Sequence, residues 1–366
     1  MRRWFVLLPL VLLTACAGAV TKLPTVETSA VYEEAKKQRA LVVKEYINSF
    51  ERLQRLAYPI LLANYELCGE EVTYLTGMFT ANADGFNGEM REAMVKLRNL
   101  DEFIKVVYVV PNSPAAKAGV KAGDTLITIN GNQIAYGEGA EEKFDRQISK
   151  IQKTGERITL ELRRNDKAVT AAITPAKACN YPVYLDASGV DNAYATGTKI
   201  VFYQGLMRAD NDTAVALTIG HELAHNIMRH PQKGMQNAVA GGFLGALVTG
   251  LTGVNVVNTF SNAGRSMNQR DFESEADYVG TYLMARAGYD ISDAADAWRA
   301  TGIRAPQQIS HGSSHPPGAE RFLAVEKAVA EIGVKRSKGQ KLIPNDFHKL
   351  RDDEAEPTAN TDEVSN

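Results

Sequence analysis

Residues 221–225, which read His-Glu-Leu-Ala-His, constrain the chain more than any other stretch. They lie within residues 214–229, a mostly apolar segment that predicts a buried helix capped by the Asn-Asp pair at 211–212. On that helix His221 and His225 share one face. Ionisable side chains on a buried helix are costly unless they are paired or bind a metal. The pattern therefore predicts a metal site.

A third ligand is available in a second predicted helix. Glu273 and Asp277 lie one turn apart in the sequence Glu-Ser-Glu-Ala-Asp, so one carboxylate can bind a metal while the other accepts a hydrogen bond from a ligand histidine. Glu275 is a competing candidate for the metal ligand. Two histidines and one carboxylate are a catalytic zinc set with an open fourth position. We expect one Zn²⁺ per chain.

The composition allows a globular protein with one or two cores. The chain has 366 residues, of which 45% are hydrophobic and 23% are charged. Its formal net charge is −2, and no basic stripe with interleaved aromatic residues is present. Nucleic acid is therefore not an expected partner.

The N-terminus predicts export. Residues 1–15 begin with two arginines and continue with an apolar run that is too short to span a bilayer, as in a signal peptide. The run ends in small residues before Cys16, which resembles the lipidation site of a bacterial lipoprotein, and Ala17 resembles the signal for outer-membrane sorting. We therefore expect an outer-membrane lipoprotein facing the periplasm, with a tether over 16–30 and helices over 31–71. The alternative is a plain secretory signal with an incidental cysteine.

Residues 112–131 predict a turn, a short helix, a Gly-Asp turn and a strand ending in Asn-Gly. This order resembles the PDZ domains of bacterial envelope proteases, and it implies such a domain over 72–178. PDZ domains bind extended peptides along a sheet edge. The groove that the resemblance implies would be lined by Leu75, Gly77, Met78, Phe144 and Ile148. The alternative is a groove that is filled or vestigial.

Two further cysteines stand at the ends of this domain. With Cys16 lipidated, Cys68 and Cys179 are an even pair in an oxidising compartment. We expect a disulfide that joins the two ends of the inserted domain. Two buried free thiols are the alternative.

Four motifs carry a wider resemblance. They are His-Glu-x-x-His at 221–225, Glu-x-x-Ala-Asp at 273–277, Ala-Gly-Tyr-Asp at 287–290, and Ser-His-Pro-Pro at 314–317 followed by Arg321. Together they resemble the HtpX and CAAX-prenyl-protease family of zinc metallopeptidases, in particular its periplasmic bacterial branch. The chain departs from HtpX in lacking that protein's multiple membrane helices.

This resemblance implies an α+β fold. It places a mostly helical zincin-type metallopeptidase domain with a small edge sheet over 179–345, interrupted upstream by the PDZ domain. The polar composition of 346–366 predicts a disordered tail.

The resemblance also assigns roles at the site. Zinc would be held by His221, His225 and Glu273, with Asp277 orienting a ligand, and Glu222 would act as general base on the attacking water. A substrate strand would add at Asn192, Ala193, Tyr194 and Ala195. Arg321 is expected to serve the oxyanion or pair with Asp277, and His315 to stabilise the oxyanion, orient substrate or close the resting zinc site. His230 is expected to be a helix-end residue near the C-terminal dipole rather than a ligand.

Residues 238–257 are uncharged and rich in glycine. We expect a loop or broken helix that gates the site or touches the membrane, in preference to a membrane span. The function that follows is a zinc endopeptidase acting on misfolded or extended envelope proteins. A chaperone or assembly factor with little proteolysis, and a non-catalytic adaptor, are the alternatives.

Overall fold

Two large hydrophobic cores divide the chain into a PDZ-like domain and a mainly helical domain. The computed structural model describes residue 21 and residues 24–266, 268–306, 309 and 318–347. The chain combines many helices with small, mostly antiparallel sheets, so the predicted α+β class is confirmed.

The PDZ-like domain is a six-stranded sheet with three helices. Along the sheet the order is β2-β3-β4-β6-β7, and β5 pairs with β4, which leaves β2 at one edge. Its elements are β2 (Met78–Ala81), α2 (Arg91–Arg98), β3 (Lys105–Val109), α3 (Pro114–Lys117), β4 (Thr125–Ile129), β5 (Asn132–Gln133), α4 (Ala140–Thr154), β6 (Ile158–Arg164) and β7 (Lys167–Ile173). Ser113 caps α3, and Asn130 and Gly131 both have positive φ in the turn between β4 and β5, as the sequence predicts.

A short stem joins this domain to the rest of the chain. The strands β1 (Val72–Leu75) and β8 (Ala176–Cys179) pair antiparallel, and they are separate from the six-stranded sheet. Cys68 and Cys179 form a disulfide beside the stem, with their Cα atoms 5.6 Å apart. Leu75 packs against the core of the helical domain, so the assignment of this residue to the peptide groove is wrong.

One helix, α1 (Thr28–Ala63), replaces the several helices predicted over 31–71. It contains no glycine, and its single proline lies in the last two turns, so nothing divides it. Its buried C-terminal half packs in the helical core, while Phe50 packs edge-on against Phe79 of the PDZ-like domain at a centroid distance of 5.2 Å. Helix α1 therefore contacts both domains.

The helical domain surrounds a three-stranded sheet of order β10-β11-β9. Its strands are β9 (Val183–Asp186), β10 (Ala193–Ala195) and β11 (Ile200–Tyr203). The helices are α5 (Gln204–Ala209), α6 (Asp212–Ile227), α7 (His230–Thr252), α8 (Val257–Ser266), α9 (Gln269–Arg286), α10 (Asp296–Arg304) and α11 (Gly318–Ser337). Phe347 is buried against this core, so the boundary of the predicted tail at 346 is wrong, and residues 348–366 lie outside the described residues.

Helices α7 and α8 form a hairpin, and the predicted loop or broken helix is wrong. A β-carbon at Gly241 would clash with the carbonyl of Phe260, and one at Gly264 would clash with the carbonyl of Asn237. The glycines therefore bring two helix backbones together rather than break a helix. Apolar side chains along α7, such as Phe243 and Leu251, are exposed. No helix among the described residues is long and apolar enough to span a membrane.

Candidate metal centre

Helix α6 carries the His-Glu-x-x-His motif into the core. Its N-cap Asn211 accepts a hydrogen bond from the amide of Ala214 at 2.9 Å, as predicted for this position. His221 and Glu222 are buried on this helix, and the side chain of His225 is nearly so. Their burial requires partners from another element.

Helix α9 supplies those partners. It crosses α6 closely where Gly280 of α9 meets Gly220 of α6. Glu273 of α9 lies with its carboxylate 3.4 Å from Nε2 of His221 and 3.5 Å from Nε2 of His225, and the two Nε2 atoms are 3.1 Å apart. One ligand atom from each of the three residues lies within 4.8 Å of the other two. Two imidazole nitrogens and one carboxylate converging on one point fit a zinc ion. Glu275 is not part of this group.

The outer nitrogen of His221 is held by a buried ion pair. Nδ1 of His221 lies 2.9 Å from Asp277, and Arg321 donates two hydrogen bonds to the same carboxylate at 2.7 and 2.8 Å. The guanidinium of Arg321 also stacks 3.5 Å above the ring of Trp298. Asp277 therefore lies where the sequence predicts a residue that orients a ligand. Of the two roles predicted for Arg321, the structure shows pairing with Asp277. No sequence pattern predicted the position of Trp298 at this site.

The outer nitrogen of His225 has a different partner. Its Nδ1 lies 2.9 Å from Nδ1 of His230, whose Nε2 lies 2.8 Å from the carboxylate of Glu275. His230 is buried at the start of α7, outside the group of three ligands, and its contact with His225 was not predicted from the sequence. Arg229, which follows α6, has a left-handed backbone conformation with φ of 56°. This conformation turns the chain so that His230 faces the site.

Burial and neighbouring charges shift the pKa values of these groups. Burial alone would lower the pKa of His221, but hydrogen bonds to Asp277 and Glu273 raise it to about 10 in the metal-free chain. Burial, reinforced by the nearby charge of His221, lowers the pKa of His225 well below its ordinary value. Burial also raises the pKa of Glu222. His221 would therefore lose a proton on binding a metal, whereas His225 is already neutral.

Glu222 faces a cleft whose wall is an edge strand. Among the described residues, strand β10 pairs with β11 on one side only, and its Ala195 backbone hydrogen-bonds the Glu222 carboxylate. A cavity of about 460 Å³ on this side is lined by residues 192–195 together with His221, Glu222, His225 and Glu273. The four predicted edge residues therefore lie beside the three predicted ligands and the predicted base.

The remaining predicted site residues are spread over the chain. In the PDZ-like domain Phe144 is buried in the core at 4% exposure, so its assignment to the groove lining is wrong, whereas Met78 and Ile148 are half-buried. Gly77 has a φ of 75° and lies against Ser113 and Tyr58. His315 and Cys16 lie outside the described residues.

The crossing of α6 and α9 gives a first testable prediction. A β-carbon at Gly280 would lie 2.7 Å from the backbone nitrogen of His221, so Gly280→Ala should push α9, and Glu273 with it, away from the histidines. We expect about 1–3 kcal/mol of destabilisation in urea unfolding, together with weaker zinc binding. The matched control is Gly333→Ala in α11, where an added β-carbon meets nothing within 4 Å and should stabilise by about 0.5–1 kcal/mol. Equal effects of the two substitutions would contradict the close crossing.

A helix-borne His-Glu-x-x-His pair completed by a carboxylate from a second helix defines a metallopeptidase domain. Comparison with known families agrees, because residues 159–329 match the model of peptidase family M48 and residues 94–174 match the PDZ domain. The chain thus carries a peptidase family M48 domain together with a PDZ domain, and the predicted resemblance is confirmed at the level of the family.

Curated relatives share parts of the chain. It is 30% identical over 170 residues to mitochondrial metalloendopeptidase OMA1 of Arabidopsis thaliana. The matched region covers 45% of this chain and 35% of that protein. It is 32% identical over 169 residues to metalloprotease LoiP of Escherichia coli. This matched region covers 43% of this chain and 65% of that protein. The chain therefore spans less than two thirds of the length of either relative.

Proposed function

We propose that this protein is a zinc-dependent endopeptidase that hydrolyses peptide bonds in misfolded or extended proteins of the bacterial cell envelope. The observation that carries the proposal is the convergence of His221, His225 and Glu273 next to Glu222 in a cleft bordered by an edge strand. When bound, zinc would activate a water and polarise the scissile carbonyl.

The protein's own residues supply the remaining functions. Glu222, with a pKa raised by burial, is suited to accept a proton from the nucleophilic water and pass it to the leaving amine. The free edge of β10 offers backbone groups to an extended substrate, and a folded protein has no loose strand to place there. Unfolded chains are therefore the expected substrates.

The PDZ domain is proposed to bind a peptide in a groove that includes Met78 of β2 and Ile148 of α4, both of which are half-buried. Anchoring in the outer membrane through a lipid on Cys16 is proposed from the N-terminal sequence. Cys16→Ser should then move the protein from the membrane fraction to the soluble fraction. A Cys16→Ser variant that remains in the membrane fraction would count against this anchor.

The direct test combines metal analysis with cleavage. Purified protein should contain about one zinc per chain. It should cleave an unfolded test protein faster than the same protein folded, and a chelator should stop cleavage until zinc is restored. A preparation that cleaves equally well after complete removal of the metal would refute the proposal.

A further inference from the structure

His230 has no role in the function proposed above, although it is 4% exposed and lies against a metal ligand. Its ring stacks on Phe272 at a centroid distance of 4.5 Å and an interplanar angle of 16°. Its position is fixed from the other side by the left-handed Arg229 and by Pro231 in the first turn of α7. A buried polar ring held on both sides requires a partner for each nitrogen.

The hydrogen-bond directions of this group are determined by the neighbouring atoms. Nε2 of His225 faces His221 and Glu273, so its Nδ1 is the nitrogen that faces His230. When Nε2 binds a metal, Nδ1 of His225 carries a proton, and this N–H donates a hydrogen bond to Nδ1 of His230. His230 then carries its own proton on Nε2 and donates to Glu275.

Each histidine ligand is linked by hydrogen bonds to a carboxylate, but the chain from His225 contains one more residue than the chain from His221. His221 donates directly to Asp277, which is buried and paired with Arg321. His225 reaches a carboxylate only through His230, and the side chain of that carboxylate, Glu275, is 31% exposed. Both ligand rings thus have a hydrogen-bond acceptor that fixes their tautomer and orientation.

We infer that His230 is a positioning residue for the metal ligand His225, and that Glu275 anchors His230 in the required tautomer. This inference rests on the zinc site of the proposed function. It assigns Glu275 to the outer layer of the centre rather than to the metal itself. Nδ1 of His230 points at His225, so the ring supports a ligand and is not a fourth one.

The test compares two replacements of one ring. His230→Phe keeps the stack on Phe272 but removes the nitrogen that accepts the hydrogen bond from His225. His230→Asn places an amide oxygen near the position of Nδ1, so that hydrogen bond is kept. Zinc affinity measured by competition with a coloured chelator should fall by about 10–100-fold in His230→Phe. It should fall by less than about 5-fold in His230→Asn, because the hydrogen bond to His225 remains.

Glu275→Ala tests the anchor without altering the buried ring. We expect zinc affinity to fall by about 3–10-fold, less than for the loss of His230 itself, because solvent can partly replace the half-exposed carboxylate. The control is Glu320→Gln, which removes an exposed carboxylate paired with Arg270 and should leave zinc affinity unchanged. If His230→Phe does not fold, the comparison of Glu275→Ala with Glu320→Gln carries the test.

Thermal unfolding of the metal-free variants separates positioning from general stability. A positioning role predicts that zinc affinity drops in His230→Phe and Glu275→Ala, while the metal-free Glu275→Ala protein unfolds close to the wild-type temperature. Wild-type zinc affinity in both His230→Phe and Glu275→Ala would overturn the inference and leave the zinc site intact. Absence of zinc from the wild-type protein would instead overturn the proposed function.

Discussion

Replacing Glu222 with glutamine should reduce cleavage of an unfolded protein by about 10²–10⁴-fold while the protein keeps its zinc. Glutamine has the size of glutamate but cannot accept a proton at neutral pH. Glu222 lies outside the ligand group, so the metal ligands should be unaffected. The measurements are initial cleavage rates and zinc content of the same preparation.

The same variant separates the proposed endopeptidase from a chaperone. A chaperone that uses the cleft only for binding would suppress aggregation and support cellular function equally well with glutamine at position 222. Glu320→Gln serves again as the exposed control and should cleave at the wild-type rate. Full cleavage by Glu222→Gln would refute the assignment of this residue as the general base.

Replacing Arg321 with leucine should destabilise the metal-free protein by about 3–5 kcal/mol in urea unfolding. The side chain of Asp277 is only 1% exposed, and the substitution removes both hydrogen bonds that Arg321 donates to it. Arg270→Leu is the matched control, because its ion pair with Glu320 is exposed and should change stability by less than about 0.5 kcal/mol.

The destabilisation by Arg321→Leu should depend on pH. Burial alone would raise the pKa of Asp277, but the charge and hydrogen bonds of Arg321 hold it below its ordinary value. A depressed pKa contributes stability above the unfolded pKa of about 3.9, and this contribution is lost as the pH falls through the folded pKa. Without Arg321, His221 still donates a hydrogen bond to Asp277, but burial is opposed less strongly, so the pKa of Asp277 rises and its contribution to stability at neutral pH shrinks. The difference between the two proteins should therefore be largest near neutral pH and shrink below about pH 4, and a constant difference would contradict the ion-pair explanation.

The metal ligands were predictable because their chemistry is local. His221 and His225 lie four residues apart on one apolar helix, and burial of that helix already required a partner. Both carboxylates lie on the same helix, so the choice of Glu273 over Glu275 depended on the family resemblance and on the pairing of Glu273 with Asp277 one turn later. The structure gives Glu275 a different role, as the acceptor for His230.

Other features depend on contacts that periodicity does not reveal. His230 lies five residues after His225, off the helix face, and only the left-handed backbone at Arg229 brings the two rings together. The glycines of α7 have the composition of a loop, yet Gly241 and Gly264 allow two helices to pack closely. The family resemblance places Leu75 and Phe144 in a peptide groove, but Leu75 packs against the helical core and Phe144 lies in the core of the PDZ-like domain. In each case a long-range contact overrides the local preference.

The stem has a topological consequence for an enzyme that cuts polypeptides. The disulfide joins cysteines separated by 111 positions, so the whole PDZ domain lies inside one covalent ring. A backbone break in any loop of that ring opens it without dividing the molecule, because the two pieces remain joined at Cys68 and Cys179. The domain can therefore be nicked, by this enzyme or by a neighbouring one, and still stay attached beside the catalytic domain.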